Sequence, residues 1–122
     1  MSTQETTEGY LAGLQHLEES EWPSFLAQDM TFSSNGKVVH EGKDTYLQGA
    51  KRFFSRITAV EVKGLLIDGD QACAVLQYEL QSPKGKRLTS EIAEIYTVKN
   101  GKIRSYAIYY DHTPYPTFLA QE

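Results

Sequence analysis

Apolar residues recur at Tyr10, Leu11, Leu14 and Leu17 with polar residues between them, which is the spacing of one helical face and predicts a first helix from Glu8 to Leu17. Pro23 suits a first helical turn, and Trp22, Phe25 and Leu26 give a short second helix something to bury, ending near Asp29. Met30 and Phe32 are separated from Val38 and Val39 by Ser34-Asn35-Gly36, and Asn-Gly supplies the positive φ angles of a type I′ turn, so a hairpin follows. From Gly42 to Ile57 the residues Tyr46, Leu47, Ala50, Phe53, Phe54 and Ile57 form a broad apolar stripe, with Lys51, Arg52 and Arg56 largely off it; this is the clearest helix. Beyond it, Asp68-Gly69, Pro83-Lys84-Gly85 and Asn100-Gly101 divide the chain into four strand-length segments. Leu76, Tyr78 and Leu80 alternate with Gln77, Glu79 and Gln81, and Tyr106, Ile108 and Tyr110 alternate with Ser105, Ala107 and Tyr109. Helices followed by a long antiparallel meander predict an α+β domain in which a curved sheet covers three N-terminal helices. Ile92, Tyr96 and Val98 alternate with Ala93, Ile95 and Thr97, so both sheet faces carry apolar residues, and a homodimer through the outer sheet face is expected. Packing by the C-terminal segment is the other way to cover that face.

At 122 residues the chain has room for one domain, 1–122, with a core from about 8 to 113 and a tail from 114 to 122. With 40% hydrophobic and 23% charged residues it has a globular composition, and disorder is excluded. A net charge of −4 argues against a nucleic-acid partner. No apolar run reaches membrane-spanning length and the first ten residues lack the form of a secretory signal, so no membrane partner and a cytoplasmic location are expected. Cys73 stands alone, which rules out an intrachain disulfide. His16, His40 and His112 are scattered without a Cys partner, which speaks against zinc, and no phosphate-binding loop or nucleophile elbow occurs, so no metal and no cofactor are expected.

Three segments in order, Phe25-Leu-Ala-Gln-Asp-Met-Thr-Phe32, Glu41-Gly-Lys-Asp44 and Asn100-Gly-Lys-Ile-Arg-Ser-Tyr-Ala-Ile-Tyr-Tyr-Asp111, make the chain resemble the nuclear transport factor 2-like superfamily, and within it the SnoaL-like branch, from about Tyr10 to His112. That resemblance implies a cone, a cystatin-like α+β barrel, with a bent sheet around helices, a deep apolar pocket for a small apolar molecule, and dimerisation through the sheet. Members include ketosteroid isomerases, polyketide cyclases, epoxide hydrolases and proteins without catalysis, so activity rests on individual residues.

Matched to the isomerases, Tyr10 falls where they carry a hydrogen-bond donor, Ser34 falls where they carry the base, and Ala93 falls where they carry a second donor. Two of those three parts are absent. Matched to the cyclases, Asp111 falls where they carry an acid/base carboxylate, whereas Thr97 stands in place of their imidazole. Asp111, with Tyr10 as donor, is the resulting catalytic candidate. Its use requires an apolar surround or a partner to raise its pKa. Equally, an Asp ahead of His112-Thr113-Pro114 can simply cap a turn. No arginine-bridged pair of aspartates is visible, which sets epoxide hydrolysis aside. Trp22, Phe32, Phe53, Phe54, Tyr78, Tyr106, Ile108 and Tyr110, with Ala93 and Ile95 on the penultimate strand, are the candidate pocket residues. Strict alternation cannot bring both Asp111 and the set Tyr106, Ile108 and Tyr110 into one pocket without a bulge. Three readings follow: an acid/base enzyme of isomerase or cyclase type, a binding protein that uses the same pocket without turnover, or a dimeric interaction domain whose pocket is filled by its own rings.

Overall fold

The structure, a computed structural model, describes residues 1–120. Helix α1 runs Thr3–Gln15, beginning well before Glu8, because Ser2 and Glu5 close a capping box: Ser2 Oγ accepts from Glu5 N at 3.0 Å and Glu5 Oε1 accepts from Ser2 N at 2.9 Å. Tyr10, Leu11 and Leu14 are its buried stripe, whereas Leu17 lies beyond its end with φ of 57° and is exposed. The expected second helix is a single 3-10 turn, Trp22–Phe25. Leu26, Ala27 and Met30 are then buried on strand β1, Leu26–Ser34, so Asp29 belongs to a strand rather than to a helix end. Gly9 and Gly13 of α1 explain why that turn packs so closely. A methyl group at Gly9 would strike the Phe25 ring, and one at Gly13 would lie 2.8 Å from the Trp22 backbone nitrogen.

Strand β2, Lys37–Glu41, returns from β1 through Asn35 and Gly36, both at positive φ as the type I′ turn demands. Helix α2, Lys43–Phe54, is shorter than the sequence stripe: Ser55 caps it and Ile57 opens strand β3, Ile57–Asp68. Strands β4, Gln71–Gln81, β5, Arg87–Lys99, and β6, Lys102–Tyr110, complete the meander, and a short helix α3, Tyr115–Leu119, follows.

The α+β architecture agrees with expectation, in a curved sheet that does not close. Its strand order is β2-β1-β6-β5-β4-β3, and β1 runs parallel to β6, so the sheet is mixed rather than wholly antiparallel. Only α1, the 3-10 turn and α2 precede the meander; the third α-helix is C-terminal and buries Tyr115 and Phe118, so the packed core continues past residue 113. Residues 121 and 122 of the expected tail lie outside the described residues. No helix among the described residues is long and apolar enough to cross a membrane.

Alternation fixes the two faces. On β4 Ala72, Ala74, Leu76, Tyr78 and Leu80 point inward, and on β5 Ser90, Ile92, Glu94, Tyr96 and Val98 do so. On β6 the fully buried inward residues, Ile103 and Tyr106, are three apart. A bulge makes this possible, since Val98 pairs with Ile103 while Thr97 pairs with Ser105, leaving Arg104 as the extra residue.

The close seat of Trp22 on α1 gives a stability test. Gly13→Ala gains helix propensity but must push α1 away from backbone atoms of Trp22. Overpacking of this kind costs about 1–3 kcal/mol, so a lower urea midpoint is expected, and an unchanged or raised midpoint would show the seat to be looser than described.

Candidate functional site

The site is built from the inward faces of β4, β5 and β6. At the middle of β5 stands Glu94, paired in register with Ala74 on β4 and Ile108 on β6. Ala72 and Ala74 lie opposite Tyr96 and Glu94, and their small side chains leave room for long polar groups beneath the helices. The Glu94 carboxylate is 2% exposed and accepts three phenol hydrogen bonds. Tyr78 donates to Oε2 at 2.6 Å, whereas Tyr96 and Tyr106 donate to Oε1 at 2.5 and 2.8 Å. Tyr10, from α1, donates to the Tyr106 oxygen at 2.8 Å, so a chain of hydroxyl bonds runs from Tyr10 through Tyr106 to the carboxylate.

Burial raises the pKa of Glu94 and the three phenol bonds oppose that rise. The same burial, with the Glu94 charge next, raises Tyr78, Tyr96 and Tyr106; Tyr46 also moves up for these reasons. The phenols therefore stay protonated and donate. Hydrogen bonds to a charged group contribute about 1.5–3 kcal/mol each, comparable in sum with the several kcal/mol needed to bury one ion, so neither the charged nor the neutral carboxylate is prohibitively costly here. A carboxylate offers about four acceptor directions, and the phenols occupy three of them.

Glu94 is not sealed in the core. It lines a cavity of about 360 Å³ whose deep wall also holds Tyr46, Tyr78 and Tyr106, all nearly fully buried. Phe32, Phe53, Phe54 and Ile108 are among its apolar walls, and Tyr110, Tyr115, Ser34, His40 and His112 bring polar groups to the lining. Gly49 on α2 leaves space for the His40 ring, which a side chain at that position would strike. The volume falls in the range of small-molecule pockets. Among the described residues, no group of three or more His, Cys, Asp or Glu is placed to hold a metal ion.

Of the residues singled out in the sequence, Phe32, Phe53, Phe54, Tyr78, Tyr106, Ile108 and Tyr110 line this cavity together. Tyr10 does not line it; fully buried, it meets the site from behind, donating to the Tyr106 hydroxyl. Trp22 sits behind the wall, its ring 4.3 Å from Phe54 and 6.3 Å from Tyr10 between centroids. Ala93 and Ile95 are on the outer face, because they alternate with the inward Ile92, Glu94 and Tyr96. Asp111 is exposed and absent from the lining: its Oδ1 accepts the Thr113 backbone N–H at 3.0 Å, and hydrogen bonding to Thr113 pulls its pKa down. This is the turn-capping arrangement, and it places Asp111 outside the cavity. No second bulge interrupts the β5–β6 register between Tyr106 and Tyr110, so Asp111 has no route to the inner face.

Glu94 was missed, although a signal was present. It is the one charged residue in phase with Ile92, Tyr96 and Val98, and the count from Gly101 lands one position away, on Ala93.

The raised pKa fixes a sign for stability. In the unfolded chain Glu94 titrates near its ordinary value of 4.5, and in the native protein it holds its proton to higher pH. Its neutral form is the one that folding favours, so that contribution is complete below the unfolded value and is lost as pH rises through the native one. Urea midpoints of the native chain should fall relative to those of Glu94→Gln as pH is raised from about 4 to 8, with parallel curves contradicting the burial argument.

Comparison with known proteins agrees with this architecture. No curated protein matches the chain. A candidate SnoaL-like polyketide cyclase from Mesorhizobium loti superposes with a TM-score of 0.77 at 23% identity, covering 90% of this chain and 100% of that one. Another, from Jannaschia sp. CCS1, gives 0.81 at 12% identity with 98% and 92% covered. An NTF2-like protein of unknown function from Cytophaga hutchinsonii gives 0.73 at 18% identity, with 93% and 94% covered. These likenesses establish the NTF2-like fold. The family model for SnoaL-like polyketide cyclase matches residues 4–116, nearly the whole sequence, and the chain belongs to that family.

Proposed function

We propose that the cavity binds a small, mostly apolar, ring-bearing molecule and that Glu94 exchanges a proton with it. The observation behind this reading is a buried carboxylate, ringed by phenols, that opens only onto a cavity walled by aromatic rings. Burial raises the Glu94 pKa, and a carboxylate with a raised pKa is a better base than an ordinary one. The chemistry suited to it begins at a carbon next to a carbonyl. The C–H proton passes to a Glu94 oxygen, and its electron pair moves onto the carbonyl oxygen to give an enolate. Return of the proton at another carbon completes an isomerisation; attack of the enolate carbon on a second carbonyl moves that C=O pair onto its oxygen, which takes the proton from Glu94 and completes a ring closure. Tyr106, accepting from Tyr10, gives its single proton to Glu94 Oε1, so it steadies the carboxylate rather than the developing enolate.

Binding without turnover is the second reading, supported by the engagement of both Glu94 oxygens and by Ser34 in the lining where related isomerases carry a base. Incubation with 1-tetralone in heavy water, followed by NMR, separates the two. The chain should speed deuterium uptake next to the ketone, and Glu94→Gln should lose at least about 100-fold of that acceleration. Equal exchange by both proteins removes Glu94 from the chemistry; ketone binding with no exchange favours the second reading.

We further propose that a second copy of the chain covers the outer sheet face. Register places Leu66, Cys73, Ile95 and Ala107 in one row across four strands and Gly64, Val75, Ala93 and Tyr109 in the next. Leu66 is 75% and Tyr109 46% exposed. Beside these rows Lys63 and Glu91 form an ion pair, so the face offers apolar area with balanced charge at its edge, as a two-fold contact between identical surfaces requires. Sedimentation at micromolar concentration should give a dimer that Ile95→Glu dissociates, and a monomeric native chain contradicts the proposal.

A further inference from the structure

Tyr110 and His112 are polar groups of the cavity that proton exchange at Glu94 leaves without a role. Tyr110 ends β6 in phase with Tyr106 and Ile108, and it is half-buried. Its backbone is clamped from the β1–β2 turn: Asn35 Nδ2 donates to Tyr110 O at 3.1 Å, and Tyr110 N donates to Asn35 Oδ1 at 3.0 Å. Its hydroxyl lies 3.0 Å from His112 Nδ1. The Asp111 cap on Thr113 N turns the chain just beyond the strand, and His112 comes to lie against the Tyr115 ring, near parallel at 10° with centroids 6.0 Å apart. Tyr115 is fixed in turn by donating its hydroxyl to Ser90 Oγ at 2.6 Å. The phenol and the imidazole are thus held from the β1–β2 turn, β5 and α3 together.

Their place relative to Glu94 follows from register. Ile92 is directly opposite Tyr110, and Glu94 is two residues along the same inner face. Diagonal neighbours of this kind have backbones about 7–8 Å apart. Glu94 is deep, whereas Tyr110 and the exposed His112 are nearer solvent, so the cavity has a polar group at each end and rings between them.

We propose that Tyr110, set by His112, is the second polar contact of the ligand and holds a carbonyl oxygen of a compact fused-ring hydroxyketone whose hydroxyl or acidic carbon meets Glu94. This rests on the reading of Glu94 given above. With hydrogen on Nδ1, His112 donates to the Tyr110 oxygen, and the phenol proton is left to bond the carbonyl. Tyr110 touches the ligand in this scheme, and His112 is a positioning residue. A site that hydrogen-bonds two separated groups discriminates against analogues lacking either one, because its own buried polar atoms are then unpaired.

Three probes dissect the contact by calorimetric titration of the whole chain: 6-hydroxy-1-tetralone, 1-tetralone, which lacks the hydroxyl, and 5,6,7,8-tetrahydro-2-naphthol, which lacks the ketone. Tyr110→Phe should weaken the two ketones about 3- to 10-fold and leave the ketone-free naphthol within about twofold. His112→Ala should reproduce that ketone-selective loss, and His112→Asn, whose amide retains a donor and an acceptor beside the phenol, should recover much of it. Glu94→Gln should weaken only the two hydroxyl-bearing probes. Equal loss across all three probes in Tyr110→Phe, no loss at all, or failure of every probe to bind at millimolar concentration overturns the proposal. Ketone-selective loss in Tyr110→Phe without hydroxyl-selective loss in Glu94→Gln would instead leave the mouth contact standing and remove Glu94 as its counterpart.

Discussion

Burying one carboxylate inside a chain of 122 residues constrains everything around it. Glu94 occupies a position that alternation forces inward, between Ile92 and Tyr96, and an unpaired charge there would cost more than the fold could sustain. Tyr78 from β4, Tyr96 from β5 and Tyr106 from β6 answer it, so neighbouring strands are tied through their side chains as well as their backbones. The phenols in turn need space. Ala72 and Ala74 provide it on β4, and α1 contributes Tyr10 rather than a purely aliphatic residue to the layer above.

The bulge in β6 is the second constraint, and it governs which chemistry faces the cavity. Were Arg104 paired regularly rather than bulged, Ile103 and Tyr106 would lie on opposite faces, and either the core would lose Ile103 or Glu94 would lose a phenol. Once the bulge is passed, alternation is undisturbed to Tyr110. Ile108 and Tyr110 therefore face inward, Tyr109 faces the outer apolar rows, and Asp111 is left to cap the turn.

Much of this was legible in the sequence. The amphipathic stripe of α2, the Asn35-Gly36 turn and the meander follow from local patterning, and those elements appear with small shifts at their ends. Pro23 with Trp22, Phe25 and Leu26 suits a short helix ending near Asp29, yet the packing of Leu26 and Met30 on β1 outweighs that weak local preference. The parallel pairing of β1 with β6 joins segments some seventy residues apart in sequence, and no local pattern encodes it. The pocket rings were recoverable because aromatic residues in phase on an inward face have few alternatives. Glu94 was not recovered, since a charge within an alternating strand reads first as an outward residue, and only its phase with Ile92 and Tyr96 shows otherwise. Asp111 was attractive for the opposite reason: its neighbours in sequence suggested a site, whereas strand parity and the Thr113 backbone determine where it lies.

The cavity itself is a cost that the fold retains. Gly49 and Ala50 keep α2 slim where it borders the open space of about 360 Å³. Filling such a void ordinarily stabilises a domain, because every lining atom gains contacts that it now lacks. Here the void meets the buried carboxylate, and a side chain pushed against Glu94 would have to satisfy its remaining acceptor direction or displace a phenol. Rings that wall the space without covering the carboxylate avoid that conflict. The hollow and the charge therefore persist together: the charge discourages apolar filling, and the hollow leaves the charge open to a ligand that can answer it.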